Sequence, residues 1–384
     1  MPDLIEPFTV SADEAALAEL ADRLRCTRWP ERETVADWSQ GVPLDYLREL
    51  CGYWASDYDW RATAARLNRI PQFTTDIDGL LVHFLHVRSR QPGAIPLLMT
   101  HGWPGSFLEF ERVLPSLAGP ASHGAATPAF HLVVPSLPGY GFSGKPAASG
   151  WDVHRIARAW AELMTRLGYQ RFIAQGSDWG TSVSTSLALQ HPGRLLGIHL
   201  VPPLAPPDRG AGDLTEGERA ALADLAERDR TGSGYSAVHG TRPQTIGYSL
   251  LDSPAGLCAW IVEKLWAWTD HQGDLGQVLT ADQVLDNITL YWLTGTGASS
   301  ARLYWESIGE VTEWFTAAAG DTVGVPAGCS VFPKEVPRLS RRWAQRRFSN
   351  IVHWGEPPRG GHFAAWEQPG LFVGEVRAVA RALP

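Results

Sequence analysis

RFIAQGSDWGT, residues 171–181, reads as a strand, a sharp turn and the opening of a helix. Residues 172–175 form a short run of strand character, and Gly176 and Gly180 bracket Asp178. Glycines in a G-x-nucleophile-x-G turn let the chain bend sharply enough to expose the central side chain at the start of the next helix. Register decides the chemistry. With Ser177 central, the flanks would be Gln175 and Trp179, neither of them small; with Asp178 central, both flanks are glycine. The nucleophile is therefore expected to be a carboxylate. The competing reading makes Asp178 a plain helix cap, a common place for Asp.

Outward from this turn, strand-like runs alternate with amphipathic helices. From Leu80 they are LLVHFLHV, IPLLMT, a helix near 107–117, HLVVPSL, a helix over 152–167, the elbow strand with a helix from Thr181, and LLGIHLVP. Runs that are apolar throughout predict a largely parallel sheet covered on both faces. The alternation stops at the Pro-rich segment 202–207. From about Asp208 to Gly324 only helical segments are predicted, among them AWIVEKLWAW and ADQVLDNITLYWLT. Strands resume at AGCSVF and SNIVHW, and a helix follows Pro369. The first 80 residues look mainly helical, opened by a Ser11-x-x-Glu14 capping box and rich in Trp at 29, 38, 54 and 60. The expected architecture is an α/β-hydrolase fold with an N-terminal helical wrap (1–80), a core in two parts (81–203 and 326–384) and a helical cap (204–325) inserted between them. Such a cap covers the carboxyl edge of the sheet, where open α/β sheets bind ligands.

Composition narrows the function by exclusion. Thirty-three basic residues against 41 acidic give a net charge of −8, with no basic run around an aromatic, which argues against nucleic acid. The start is acidic and broken by Pro2 and Pro7, and no apolar stretch approaches the ~18 residues of a membrane span. A soluble, cytoplasmic protein without a membrane anchor is expected. Cys26, Cys51, Cys258 and Cys329 form no CxxC pair, so no thiolate metal cage is expected, and Cys329 reads as a small buried hydrophobe. The GYGFSGK stretch at 139–145 imitates a P-loop, but Pro146 stands where Ser or Thr would bind Mg²⁺. No nucleotide, zinc or other cofactor is expected. Arg outnumbers Lys 30 to 3, a mark of GC-rich coding rather than mechanism.

A carboxylate nucleophile forms an ester with an sp³ carbon, which water must then split. That chemistry needs a base, an acid to orient it, and N–H donors for the oxyanion. His362, in RGGHF after the last strand, is the candidate base; His101 and His353 are its rivals. Glu335, in FPKE after the preceding strand, is the candidate acid, with Glu356, Glu367 and Asp321 as competitors. HGWP at 101–104 follows IPLLMT, where this fold supplies an oxyanion amide, so the expected donors are the backbone N–H groups of Trp103 and Trp179. The leaving group divides the possibilities. A halide leaves unaided, whereas an opening epoxide needs a proton donor, and Tyr235, Tyr248, Tyr291 and Tyr304 lie in the cap. Core packing is the alternative for each. A haloalkane dehalogenase and a non-catalytic binding protein of the same fold are the other functions in play.

HGWPGSFLEF (101–110), SLPGYGFS (136–143), GSDWG (176–180), LLDSPAGLCAWIVEK (250–264), LYWLTGTGASSARLYWE (290–306), FPKE (332–335) and RGGHFAAWEQP (359–369) together resemble the microsomal-type, or juvenile-hormone-type, epoxide hydrolases. The resemblance spans nearly the whole chain. It implies Asp178 as nucleophile, His362 as base, Glu335 as its partner, and Tyr304 and Tyr235 as the acids that open the ring. The reaction it implies turns a hydrophobic epoxide and water into a vicinal diol, with no cofactor or metal. Eukaryotic members carry an N-terminal anchor, and this chain is similar instead to bacterial soluble relatives, including those of enediyne antibiotic biosynthesis; a homodimer is the expected assembly if it is not a monomer. The 17 Trp suggest a pocket for a bulky aryl epoxide, with Trp103, Trp179, Trp292 and Phe363 as expected walls.

Overall fold

In the computed structural model, residues 4–119, 127–316 and 321–384 are described. Among them nine strands form one sheet: β1 (Glu6–Pro7), β2 (Gln72–Ile77), β3 (Leu80–Val87), β4 (Ile95–Thr100), β5 (Phe130–Pro135), β6 (Phe172–Ser177), β7 (Leu195–Val201), β8 (Ala327–Ser330) and β9 (Ile351–Gly355). Their order is β1-β2-β3-β5-β4-β6-β7-β8-β9. From β5 to β9 every pairing is parallel, while β1, β2, β3 and β5 pair antiparallel. The sheet is thus mixed, and the N-terminal region, expected to be mainly helical, also contributes two strands, β1 and β2. β2, QFTTDI, buries Gln72, Thr74 and Thr75, so its inward positions lack the apolar signature of a strand.

The strand order sets the site. β4 lies between β5 and β6, and Thr100 pairs with Gly176, so the HGWP loop and the elbow leave the sheet at the same height, side by side. β6 is buried along its whole length. Helices Val153–Arg166 and Trp179–Gln190 pack together on the sheet. The first starts at Asp152, whose carboxylate accepts from Arg155 N at 2.8 Å, and it turns Ile156, Trp160, Leu163 and Met164 inward at helical spacing. Truncating a fully buried Trp such as Trp160 to Ala costs about 3–5 kcal/mol.

The cap is built from helices Glu216–Glu227, Gly234–Thr241, Pro243–Asp252, Pro254–Trp268, Ala281–Thr294 and Gly297–Thr316. Polar bonds between cap and core loops hold it down. Tyr140 Oη donates to Ser300 O (3.0 Å), Ser299 Oγ to Gly139 O (2.6 Å), Asn287 Nδ2 to Pro104 O (2.7 Å) and Tyr291 Oη to Gly105 O (2.8 Å). The N-terminal helices Glu14–Arg25, Leu44–Ser56 and Trp60–Leu67 brace the cap from outside. Buried Asp286 collects Tyr58 Oη (2.8 Å), Thr63 Oγ1 (2.6 Å) and Arg66 (2.6 Å), and the indoles of Trp38 and Trp266 stack at 4.0 Å. The first helix is capped by Asp13, which accepts from Ala15 N and Ala16 N, rather than by Ser11. Asp13 lies next to Glu14, where the helix begins, and Ser11 lies two residues farther upstream. Among the described residues no helix is long and apolar enough to cross a membrane.

Candidate active site

Asp178 occupies the turn between β6 and helix Trp179–Gln190 with φ +52°, a backbone region that costs a non-glycine residue roughly 1–3 kcal/mol. The turn is that tight because helix and sheet nearly touch: a Cβ at Gly180 would come within 1.9 Å of Thr100 O. Its carboxylate makes no capping bond to the helix, so the cap reading fails. Instead, Oδ1 accepts from Trp103 N at 2.8 Å, and Oδ2 lies 3.5 Å from His362 Nε2.

The other ring nitrogen of His362, Nδ1, lies 3.0 Å and 3.2 Å from the two oxygens of Glu335. Glu335 is buried and accepts from Val336 N (3.0 Å), which fixes its orientation. Burial works against charge on His362, but the carboxylates of Glu335 and Asp178 outweigh it and hold its proton affinity well above the usual histidine range. The rival histidines stand elsewhere. His101 is buried and bonded to Gly102 O and Leu137 N, and His353 in β9 pairs with Glu375 at 2.9 Å. Of the acid competitors, Glu356 accepts from Trp354 Nε1.

Above Asp178 the cap supplies an aromatic wall. Tyr235 and Tyr304 meet edge to face at 5.7 Å; Tyr235 stacks on Trp103 at 5.0 Å, and Tyr304 stands against Trp179 at 4.7 Å. Burial first, and then the Asp178 charge for Tyr235 and the Tyr235 hydroxyl for Tyr304, push both phenols above their ordinary range, so both keep their protons at neutral pH. The other two cap tyrosines are elsewhere engaged: Tyr248 is exposed, and Tyr291 holds Gly105. The cavity between these groups has a volume of about 910 Å³ and is lined by Asp178, His362, Glu335, both tyrosines, Trp179, Trp266, Trp268 and Phe315. Trp103 and Phe363 stand one layer behind, against Tyr235 and Trp268. Trp292 lies away from the cavity, under the guanidinium of Arg23 at 5.8 Å, because its helix turns that face toward the N-terminal wrap.

Three residues beyond the expected set shape the site. Glu367 accepts from Gly361 N (3.1 Å), Phe363 N (3.0 Å) and Asp270 N (2.7 Å), clamping the backbone on both sides of His362; burial lifts its carboxyl to about 7 in spite of those bonds. Glu109 is buried against Gly105, and burial pushes it up to about 8 against the opposing charge of His362, with Asp178 and Glu367 adding to the rise. Lys264 is buried behind Tyr235. Signals for all three existed: an acid five residues after the histidine, already weighed as a rival of Glu335, an acid inside the apolar FLEF, and one of only three lysines in the chain.

Two family models match, "Epoxide hydrolase N terminus" over residues 5–110 and "alpha/beta hydrolase fold" over 95–251. The chain is 52% identical over 99% of its length to a protein of Stigmatella aurantiaca (strain DW4/3-1), provisionally named an epoxide hydrolase, and covers 85% of it. It is 36% identical over 97% of its length to epoxide hydrolase 1 of Oryctolagus cuniculus, covering 88% of that chain. The crystal structure of Aspergillus niger epoxide hydrolase is similar with a TM-score of 0.88 at 33% identity, over 99% of this chain and 97% of that one. Juvenile hormone epoxide hydrolase of the silkworm Bombyx mori follows at 0.85 and 30%, over 99% and 94%. With identity sustained over almost its full length and a matching fold, the chain belongs to the epoxide hydrolase family.

Proposed function

We propose that this epoxide hydrolase works through a covalent ester on Asp178. The observation that carries the reading is the unequal setting of the two Asp178 oxygens: Oδ1 is held by Trp103 N at 2.8 Å, while Oδ2 faces the cavity 3.5 Å from His362 Nε2. Oδ2 attacks one epoxide carbon as the C–O bond breaks, and Tyr235 or Tyr304 gives its hydroxyl proton to the departing oxygen. The alkylated Asp178 is neutral. His362 thereby loses one of the two charges that favour its proton, and that proton returns through water to the phenolate. The now neutral imidazole, oriented by Glu335, takes a proton from the water that attacks the ester carbonyl. Oδ1 becomes the oxyanion at the Trp103 amide, with the Trp179 amide its second donor; as this species collapses the Cγ–Oδ2 bond breaks, His362 gives the proton it took to the departing oxygen, and the diol leaves with the oxygen that was Oδ2.

Epoxide and water are the only reactants. The width and aromatic lining of the cavity support a bulky, hydrophobic epoxide, aryl-substituted in preference to short alkyl; a role in secondary metabolism such as enediyne formation is the narrower reading, tested by turnover of polycyclic aryl epoxides. A single turnover in ¹⁸O-water tests the mechanism. Label is expected in Asp178 and not in the first diol, and labelled first-turnover diol would overturn it. His362→Gln should accumulate the ester, seen as enzyme plus substrate by mass, and Asp178→Ala should form neither ester nor diol.

A further inference from the structure

Lys264 is 5% exposed in helix Pro254–Trp268, with its Nζ 2.6 Å from Glu263. An ammonium in such a place loses most of its hydration, which a single half-covered carboxylate restores only in part. Its other neighbours are rings. Nζ lies 4.6 Å from the centre of the Tyr235 ring and 5.8 Å from that of Trp268. The Tyr235 ring also stacks on Trp103, at 5.0 Å and 10° between planes, so the phenol has an ammonium and an indole against it. The nearby imidazole, His239, accepts from Trp260 Nε1 at 3.0 Å, and burial lowers it to about 3, leaving it neutral. Arg228, at the cavity wall, also favours charge on this phenol, and Lys264 is the cation whose ammonium lies over the face of the Tyr235 ring.

We propose that Lys264 is a positioning residue for ring opening: it holds the Tyr235 ring in its plane and stabilises the negative charge that grows on the phenol as its proton passes to the epoxide oxygen. The inference rests on the two-step reading above. In that step the Tyr235 O–H bond breaks, the new O–H forms on the substrate, and the phenolate left behind lies beside the ammonium. A cation on a ring that gains charge is favoured more in the transition state than in the ground state, which is the condition for raising a rate. Glu263 opposes the effect, since its carboxylate offsets part of the Lys264 field.

The test is the rate of ester formation from styrene oxide, followed by quenched mass spectrometry in a His362→Gln parent. Absence of any ester in that parent would overturn the two-step reading itself, and this inference with it. Given ester, Lys264→Met should slow its formation on the order of tenfold, and Lys264→Arg should recover most of the loss. In a Tyr235→Phe background, Lys264→Met should change nothing more. Glu263→Gln, at a more exposed position, should accelerate ester formation, a gain that mere damage to the cap would not produce. Equal losses with and without Tyr235, or no loss with Lys264→Met, would overturn the role for Lys264, as would a slower Glu263→Gln variant.

Discussion

Gly102 and Trp103 show how little freedom the chemistry leaves at the level of single residues. A Cβ on Gly102 would come 2.1 Å from Asp178 Oδ1, so Gly102→Ala should displace the nucleophile from the Trp103 amide. Misplacement of that size costs roughly 100-fold in rate, and kcat for diol formation should fall accordingly while the protein stays folded by circular dichroism. Tyr235→Phe and Tyr304→Phe should each slow ring opening, and the double variant should lose diol formation altogether, since an alkoxide without an acid is a poor leaving group. If haloalkanes were the true substrates, halide release would survive both changes. Asp178 stood out from its two glycines because the turn is local, and His362 from its place after the last strand, whereas position set Glu335 only weakly apart from Glu356, Glu367 and Asp321 until the family resemblance singled it out. The assignment of Tyr235 and Tyr304 among four cap tyrosines came only with the family resemblance. Spacing says nothing about which cap helix faces the cavity, and Trp292 was misplaced for the same reason.

Elements act on the site through their contacts, and the N-terminal wrap does so through Asp286. Three donors, from helix Trp60–Leu67 and the connection before it, converge on this one carboxylate in helix Ala281–Thr294, which also carries Asn287 and Tyr291 to the backbone of Pro104 and Gly105. The loop that positions Trp103 is thus tied, through one helix, to Tyr58, Thr63 and Arg66 far upstream in the N-terminal wrap. Asp286→Ala should cost about 3 kcal/mol by stranding the buried hydroxyls of Tyr58 and Thr63. It should appear as a lower Tm, with kcat reduced more than KM is raised, and Asp286→Asn should lose less. The coupling is non-local and left no trace in the sequence. The alternating strands and helices from Leu80 onward were readable because each buries an apolar face. β2 was not, because Gln72, Thr74 and Thr75 face inward and find polar partners there, as Gln72 does with Leu67 O and His83.

For the molecule as a whole, buried ionisable groups set the pH range in which the fold holds. Burial lowers His83 and His239 to about 3, and His86, His101 and His199 to about 4, all below the 6.5 of a free imidazole. Between those values the unfolded chain binds more protons than the native one. The stability these histidines lend is complete above about pH 6.5 and is lost as pH falls toward 4, at up to about 1.4 kcal/mol per pH unit for each. Glu109, raised to about 8, and Glu367, raised to about 7, act with the opposite sign. Their contribution is present below the ordinary carboxylate range and is lost as pH rises through 7 and 8, when a charge must form in a buried place. His362, also raised, loses its contribution in the same alkaline direction. The sum is a dome with its top near pH 6.5 to 7: on the acid side the five histidines outweigh the two glutamates, and on the alkaline side the two glutamates and His362 act together. A series of Tm measurements from pH 4 to 9 should trace that shape. Glu109→Gln, which keeps the size of the side chain and removes the charge, should flatten the alkaline arm and steepen the acid arm above about pH 4.5, where the native carboxyl opposes the histidines, whereas a Tm independent of pH across the series would contradict it.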